Sequence, residues 1–237
     1  MKTDVEGIRK TSIALLYAVD LKPHEQFDFI IQHPFTNNRH VGTRDGRILD
    51  LANPKEAKEW CANLEKQINT MSPSQIFGLL LNSAWYLTWL SFVKPYLSRK
   101  DFSSFLANAW TEQENPNMDV NVSTSMAIKW FKEADRKAMM DEEDYAYWEA
   151  LPEEVTLYRG VARGREEYGL SWTDNKEKAI WFKNRWATPE EQGKLLKVTV
   201  NKKHCLCYLD SRGEKEIVLD VDAVGKDIED ITNSDLD

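Results

Sequence analysis

Three short segments in the last third of this chain carry side chains whose types and spacing suit chemistry. The first is Tyr158-Arg159-Gly160, inside the apolar run Val155–Val161. An arginine within a strand pattern is expensive to bury without an anionic partner, and the glycine after it admits close backbone approach by something flat. The second is Gly169-Leu170-Ser171-Trp172-Thr173. In an extended segment Ser171 and Thr173 share one side and Trp172 takes the other, so two hydroxyls can orient a carboxylate or a sugar hydroxyl. The third is Arg212-Gly213-Glu214-Lys215-Glu216-Ile217-Val218. Alternation predicts Glu214 and Glu216 on one face at the start of a strand, where like carboxylates repel unless a task needs both. Each segment also has a plain structural reading: a strand-edge arginine in a surface ion pair, a helix entry through Thr173 and Asp174, and a polar strand entry after a turn.

Metal, thiol and glycine-loop chemistry are weaker in the sequence. The four histidines are His24, His33, His40 and His204, and no pair is spaced i, i+4 on a predicted helix. The one tight cluster is His204-Cys205-Leu206-Cys207. On a strand Cys205 and Cys207 share a face and His204 opposes them, which leaves too few ligands for a tetrahedral site. The cysteines therefore read as small core residues, and no metal is expected. There is no Walker loop and no GxGxxG to cradle phosphate.

Taken in chain order, the strand Arg159-Gly160, the Ser171-x-Thr173 step and the Glu214-x-Glu216 strand start resemble the mono-ADP-ribosyltransferases of the Arg-Ser-Glu class. The stretch Ala179–Arg185 also resembles a helix of compact phage and bacterial members. The resemblance covers residues 155–221 and implies a split β-sandwich core that uses NAD as substrate, with no metal. By that resemblance Arg159 would hold the phosphate and ribose on the nicotinamide side. Gly160 would offer its backbone to the carboxamide, and Ser171 would aim Glu216, with Thr173 as its structural partner. Phe182 would stack on the nicotinamide, with Trp181 and Trp186 as rivals for that role. Glu216 would grip the ribose 2′-hydroxyl and Glu214 would orient or deprotonate the acceptor. A carboxylate beside the ribose stabilises the positive charge that develops as the nicotinamide bond breaks, the electrostatic problem that glycosidases also solve with carboxylates.

The resemblance further implies a macromolecular acceptor, a protein arginine first, and a setting in phage–host conflict as toxin or counter-defence effector, with an inhibitor or antitoxin as partner. Three other readings stay open: transfer to RNA or DNA bases, plain NAD hydrolysis, and a catalytically silent module that binds a partner. Arg159 and Ser171 are only twelve positions apart, where larger members of the class place a helix. That step leaves Ala162–Tyr168 as a short charged loop beside the cofactor.

The elements that must position these residues divide by texture near residue 150. The chain has 237 residues, 42% hydrophobic and 30% charged, with nine tryptophans and net charge −8. It can therefore bury a core and is not disordered throughout. An acidic total argues against a dedicated nucleic-acid binder, and three cysteines without a disulfide framework fit a reducing, cytoplasmic compartment. No signal peptide is evident. Ile76–Val93 approaches membrane-spanning length, but Asn82, Ser83, Thr88 and Ser91 interrupt it, so it reads as a buried core helix and no membrane partner is expected.

The expected fold class is α+β. Residues 1–150 form a mostly helical region with a strand near Phe27–Ile31 and a turn at Asp45-Gly46. Helices are predicted over Pro54–Thr70, from a capped start at Ser72-Pro73-Ser74-Gln75, and over Asp101–Trp110, Ser125–Met140 and Glu142–Leu151. Residues 151–225 form the β-rich core. Its strands are Val155–Val161, Lys194–Val200, His204–Leu209 and Glu214–Val221, with a short strand or turn at Leu170–Thr173 and one helix capped by Asp174. Residues 226–237 form an acidic, frayed tail.

Overall fold

The computed structural model describes residues 1–188 and 191–234. It is a mixed α+β chain of helices and small antiparallel sheets, with no closed barrel among the described residues. By internal packing it falls into two compact units: residues 1–98 with 112–114, and residues 99–111 with 115–234. The change of texture at Pro152 lies inside the second unit.

In the first unit, helix α1 (Val5–Ala18) starts on Asp4, whose carboxylate accepts the Gly7 N–H at 3.0 Å. Strands β1 (Ile30–His33) and β2 (Thr36–Asn38) pair, as do β3 (His40–Gly42) and β4 (Ile48–Asp50). The first strand starts three residues later than the apolar run suggests, because Phe27 and Phe29 are exposed and Ile31 is the buried residue. The Asp45-Gly46 turn joins β3 to β4 as expected, with Gly46 at φ 84°. Helix α2 (Pro54–Ile68) is capped by Asn53.

The apolar run Ile76–Val93 is not one helix. The capping box at Ser72 forms and opens α3 (Pro73–Gln75). A π-turn over Ile76–Leu80 follows, and Leu81 leaves the helix at ψ 140°. The Asn82 N–H then donates to the Pro34 carbonyl at 2.7 Å, and its side chain restarts the chain by accepting the Ala84 N–H. Helix α4 (Tyr86–Val93) completes the segment, with Leu87, Trp89, Leu90 and Val93 fully buried. No helix among the described residues is long and apolar enough to cross a membrane.

The second unit opens with α5 (Arg99–Glu112), of which it holds all but the last residue, and α6 (Thr124–Glu133). The predicted helix Ser125–Met140 breaks at Ala134, where ψ is 161°, and Asp135 caps a separate α7 (Arg136–Met139). Helix α8 (Glu142–Ala150) is followed by β5 (Glu154–Val161), β6 (Ser171–Trp172), α9 (Lys176–Asn184), β7 (Lys194–Asn201), β8 (Cys205–Leu209), β9 (Glu216–Leu219), α10 (Val221–Val224) and β10 (Glu229–Asp230). Asn175 rather than Asp174 caps α9, by accepting the Lys178 N–H at 2.9 Å.

Two three-stranded antiparallel sheets result, in the orders β10-β7-β5 and β6-β9-β8. Among the described residues one bridge joins them: Tyr158 and Thr173 exchange both backbone hydrogen bonds, at 2.7 and 2.9 Å. The stretch expected to fray is held instead through residue 232. Leu195 turns its N–H and C=O to the outer edge of β7, where Thr232 Oγ1 and the Ile231 N–H take them up at 2.9 Å each. Residues 235–237 of that predicted tail lie outside the described residues. The core between the elements holds Trp110, Phe131, Leu157, Trp172, Leu195 and Ile217, each at most 2% exposed.

Candidate active site

Strand β5 buries its odd-numbered side chains and leaves its even-numbered ones half covered or exposed. Arg159 thus takes a core position between Leu157 and Val161. The residue is 7% exposed, and each guanidinium nitrogen donates to a main-chain carbonyl: Nε to Glu167 at 3.2 Å, Nη1 to Ser171 at 2.7 Å and Nη2 to Glu166 at 2.6 Å. The planar fork gathers the 166–171 backbone around itself. Burial pushes the group down to about 10, and the charges of Glu216 and Glu166 oppose that fall. The sequence suggested an arginine reaching for phosphate; the geometry gives it a first task in shaping its own loop.

Glu216 opens β9 and is 9% exposed. Its Oε1 accepts the Trp110 indole N–H at 2.7 Å, and the Ser171 hydroxyl lies near enough to the same carboxyl to lower its pKa. Ser171 Oγ in turn accepts from Asn117 Nδ2 at 3.0 Å. Burial raises the pKa of Glu216 above the ordinary glutamate value. Ser171, Trp110 and the Arg159 charge pull it down, while Glu214 pushes it up. The buried cation and the buried acid therefore sense one another, and Ser171 serves both: its carbonyl binds the guanidinium and its hydroxyl favours the charged carboxyl.

Gly160 packs on one face and opens an edge. A Cβ there would lie 1.8 Å from the Ala179 carbonyl oxygen and 2.5 Å from the Lys183 nitrogen, so α9 sits directly on the glycine. Its own peptide groups point elsewhere. Tyr158 bonds to Thr173, and Leu195, the register partner of Gly160, bonds outward to residues 231 and 232. Alternation then directs the Gly160 N–H and C=O to the same side as those of Tyr158, beside β6.

The remaining expected residues are placed as follows. Thr173 is buried, bridges to Tyr158 and accepts the Asn175 N–H at 3.1 Å, a structural role. Glu214 does not share a strand with Glu216. Lys215 has φ 51°, and its N–H is drawn to Asp210 Oδ1 at 2.8 Å, so β9 starts at Glu216. Glu214 stands before it, half-buried, with Arg212 Nε 3.7 Å from its carboxylate. Phe182 is half-buried on α9, one residue before the Lys183 that meets Gly160, with its ring edge-on to Trp181 at 5.0 Å.

The sequence reading missed Trp110 and Asn117. Asn117 also accepts the Leu170 N–H at 2.6 Å, so one carboxamide fixes both the loop end and the Ser171 hydroxyl. Neither residue stands in a recognisable pattern with the strands it serves. Cys205 and Cys207 are free and buried, with burial raising both thiols, Cys205 to about 11, so they are core residues rather than nucleophiles. No cluster of three His, Cys, Asp or Glu side chains suited to a metal occurs among the described residues.

Comparison with protein-family models, with curated proteins and with solved structures finds no match to this chain.

Proposed function

We propose that the second unit is a split β-sandwich mono-ADP-ribosyltransferase that takes NAD as its substrate. The observation that carries this reading is the buried Glu216 carboxyl, held by the Trp110 indole, close to the Ser171 hydroxyl and within the field of Arg159. Such a group has no packing purpose and is costly unless used. The donor set suits the substrate. The Gly160 peptide groups match a carboxamide, Glu216 matches a ribose hydroxyl, and the N–H groups of Arg159 left over from its three carbonyls suit a phosphate. In the reaction the nicotinamide leaves with the electron pair of its glycosidic bond. Glu216 stabilises the positive charge left on the ribose. The acceptor attacks the same carbon and gives its proton to Glu214. Phe182 offers the ring face for the nicotinamide, and Arg159 keeps Ser171 aimed.

The acceptor is a macromolecule, a protein arginine in the leading form of the proposal. One surface favours a nucleic acid instead. Trp181 and Trp186 are 56% and 53% exposed, and the Arg185 guanidinium lies over both rings at 5.6 and 5.3 Å, an arrangement that suits stacked bases. Labelled NAD incubated with the protein and cell lysate tests the whole reading. Label on protein or on nucleic acid names the acceptor, and free ADP-ribose indicates hydrolysis. Glu216→Gln is expected to lower transfer by ~100–1000-fold. Wild-type turnover no faster than that variant's would refute the assignment. Glu214→Gln is expected to lose transfer and keep NAD hydrolysis, and equal loss of both would remove the acceptor role of Glu214.

A further inference from the structure

A concavity lies in the first unit, between the β3–β4 hairpin and helix α2. Its volume is about 470 Å³, within the range of pockets that take small ligands. Its hairpin wall is fixed. The Asp45 carboxylate accepts from the Thr43 hydroxyl and from Arg47 Nε, and Arg47 Nη2 reaches across to Glu59 of α2 at 2.6 Å. These bonds hold the hairpin to the helix and set the width of the cleft. They also neutralise Arg47, which leaves Arg44 as the lining cation with no carboxylate partner among the described residues.

Trp60, Asn63, Leu64 and Gln67 follow i, i+3, i+4, i+7 spacing and all line the cleft, on the face beside the buried stripe of Cys61, Leu64 and Ile68. Here Leu64 and Leu49 form a dry floor. The Trp60 indole N–H and the Asn63 carboxamide have no hydrogen-bond partner among the described residues. An indole beside two carboxamides offers a stacking surface with donors and acceptors at its rim, the combination that reads a nucleobase edge. A lone guanidinium at the mouth suits one phosphate.

We infer that this cavity binds a nucleoside monophosphate, with the base at Trp60, Asn63 and Gln67 and the phosphate on Arg44. The inference is independent of NAD chemistry in the second unit. Isothermal titration of the full chain with the common ribonucleoside monophosphates tests it, with the parent nucleosides and inorganic phosphate as further probes. At least one monophosphate is expected to bind one-to-one, and its nucleoside and phosphate alone at least tenfold more weakly. Arg44→Ala and Asn63→Ala, both at exposed positions, are each expected to weaken it tenfold or more, and Glu216→Gln to leave it unchanged. Absence of binding by every monophosphate at millimolar concentration overturns the inference. So does affinity that survives Arg44→Ala, or binding lost in Glu216→Gln alone, which would place the nucleotide in the second unit.

Discussion

Replacing Trp110 by Phe isolates the contact that holds Glu216. Two costs add. The first is packing: the smaller ring leaves volume empty beside Phe131, which Trp110 meets edge-on at 5.2 Å. A buried change of that size costs about 1–2 kcal/mol and does not depend on pH. The second is the bond from Nε1 to Oε1 at 2.7 Å. A hydrogen bond to an ionised carboxylate is worth about 1.5–3 kcal/mol, and one to a neutral carboxyl about 0.5–1.5 kcal/mol. Burial raises the pKa of Glu216 in the folded chain, so the folded state keeps this proton to higher pH than the unfolded state. The stability it contributes is complete below the unfolded glutamate pKa and is lost as pH rises through the folded one. Trp110 opposes the raised pKa, so removing it enlarges that loss. The cost of Trp110→Phe should therefore grow with pH, by about 1 kcal/mol across the titration. Urea unfolding followed by far-UV circular dichroism reads this. A slope of about 2 kcal/mol per M turns the difference into about 0.5 M of midpoint between acidic and mildly alkaline solution. The same midpoint displacement at both ends of the pH range would refute the reasoning.

Other substitutions probe the supports one at a time. Gly160→Ala sets a methyl 1.8 Å from the Ala179 carbonyl, forces α9 off the strand, and should cost about 3 kcal/mol; an unchanged thermal midpoint would contradict the seat. Arg159→Lys replaces a fork that binds three carbonyls with a single point charge and should lose about 2–4 kcal/mol in urea titration. Lys132→Ala strips the ammonium 2.6 Å from the buried Asp220, whose Oδ1 already has no partner. The expected loss is about 1–3 kcal/mol, and wild-type stability would show that the pair is idle. Asn117→Ala and Ser171→Ala act on one bond of 3.0 Å, so a double-mutant cycle on urea stability should show coupling of at least about 0.5 kcal/mol; strict additivity would separate them.

What was legible in the chain is what depends on neighbours in sequence. The alternation of Val155–Val161 and Lys194–Val200 foretold β5 and β7, because a half-buried strand exposes every second side chain. Ser72 with Gln75 foretold a helix start and Asp45-Gly46 a hairpin turn, since caps and turns are satisfied within a few residues. Those patterns also put Arg159, Ser171 and Glu216 on strands. Strand boundaries were less legible: the Glu214–Val221 pattern does not reveal that Asp210 captures the Lys215 N–H and delays β9.

Tertiary structure decided the rest, wherever a polar group found its partner far along the chain. The apolar run Ile76–Val93 has helical composition throughout, yet it breaks because the Asn82 N–H is satisfied by Pro34. Glu216 is held by Trp110, 106 positions away, and Ser171 by Asn117, 54 positions away. Local periodicity states which face of an element is apolar; it does not state what will meet that face. Burial makes those distant hydrogen bonds obligatory, and only the packed chain determines which donors and acceptors form them.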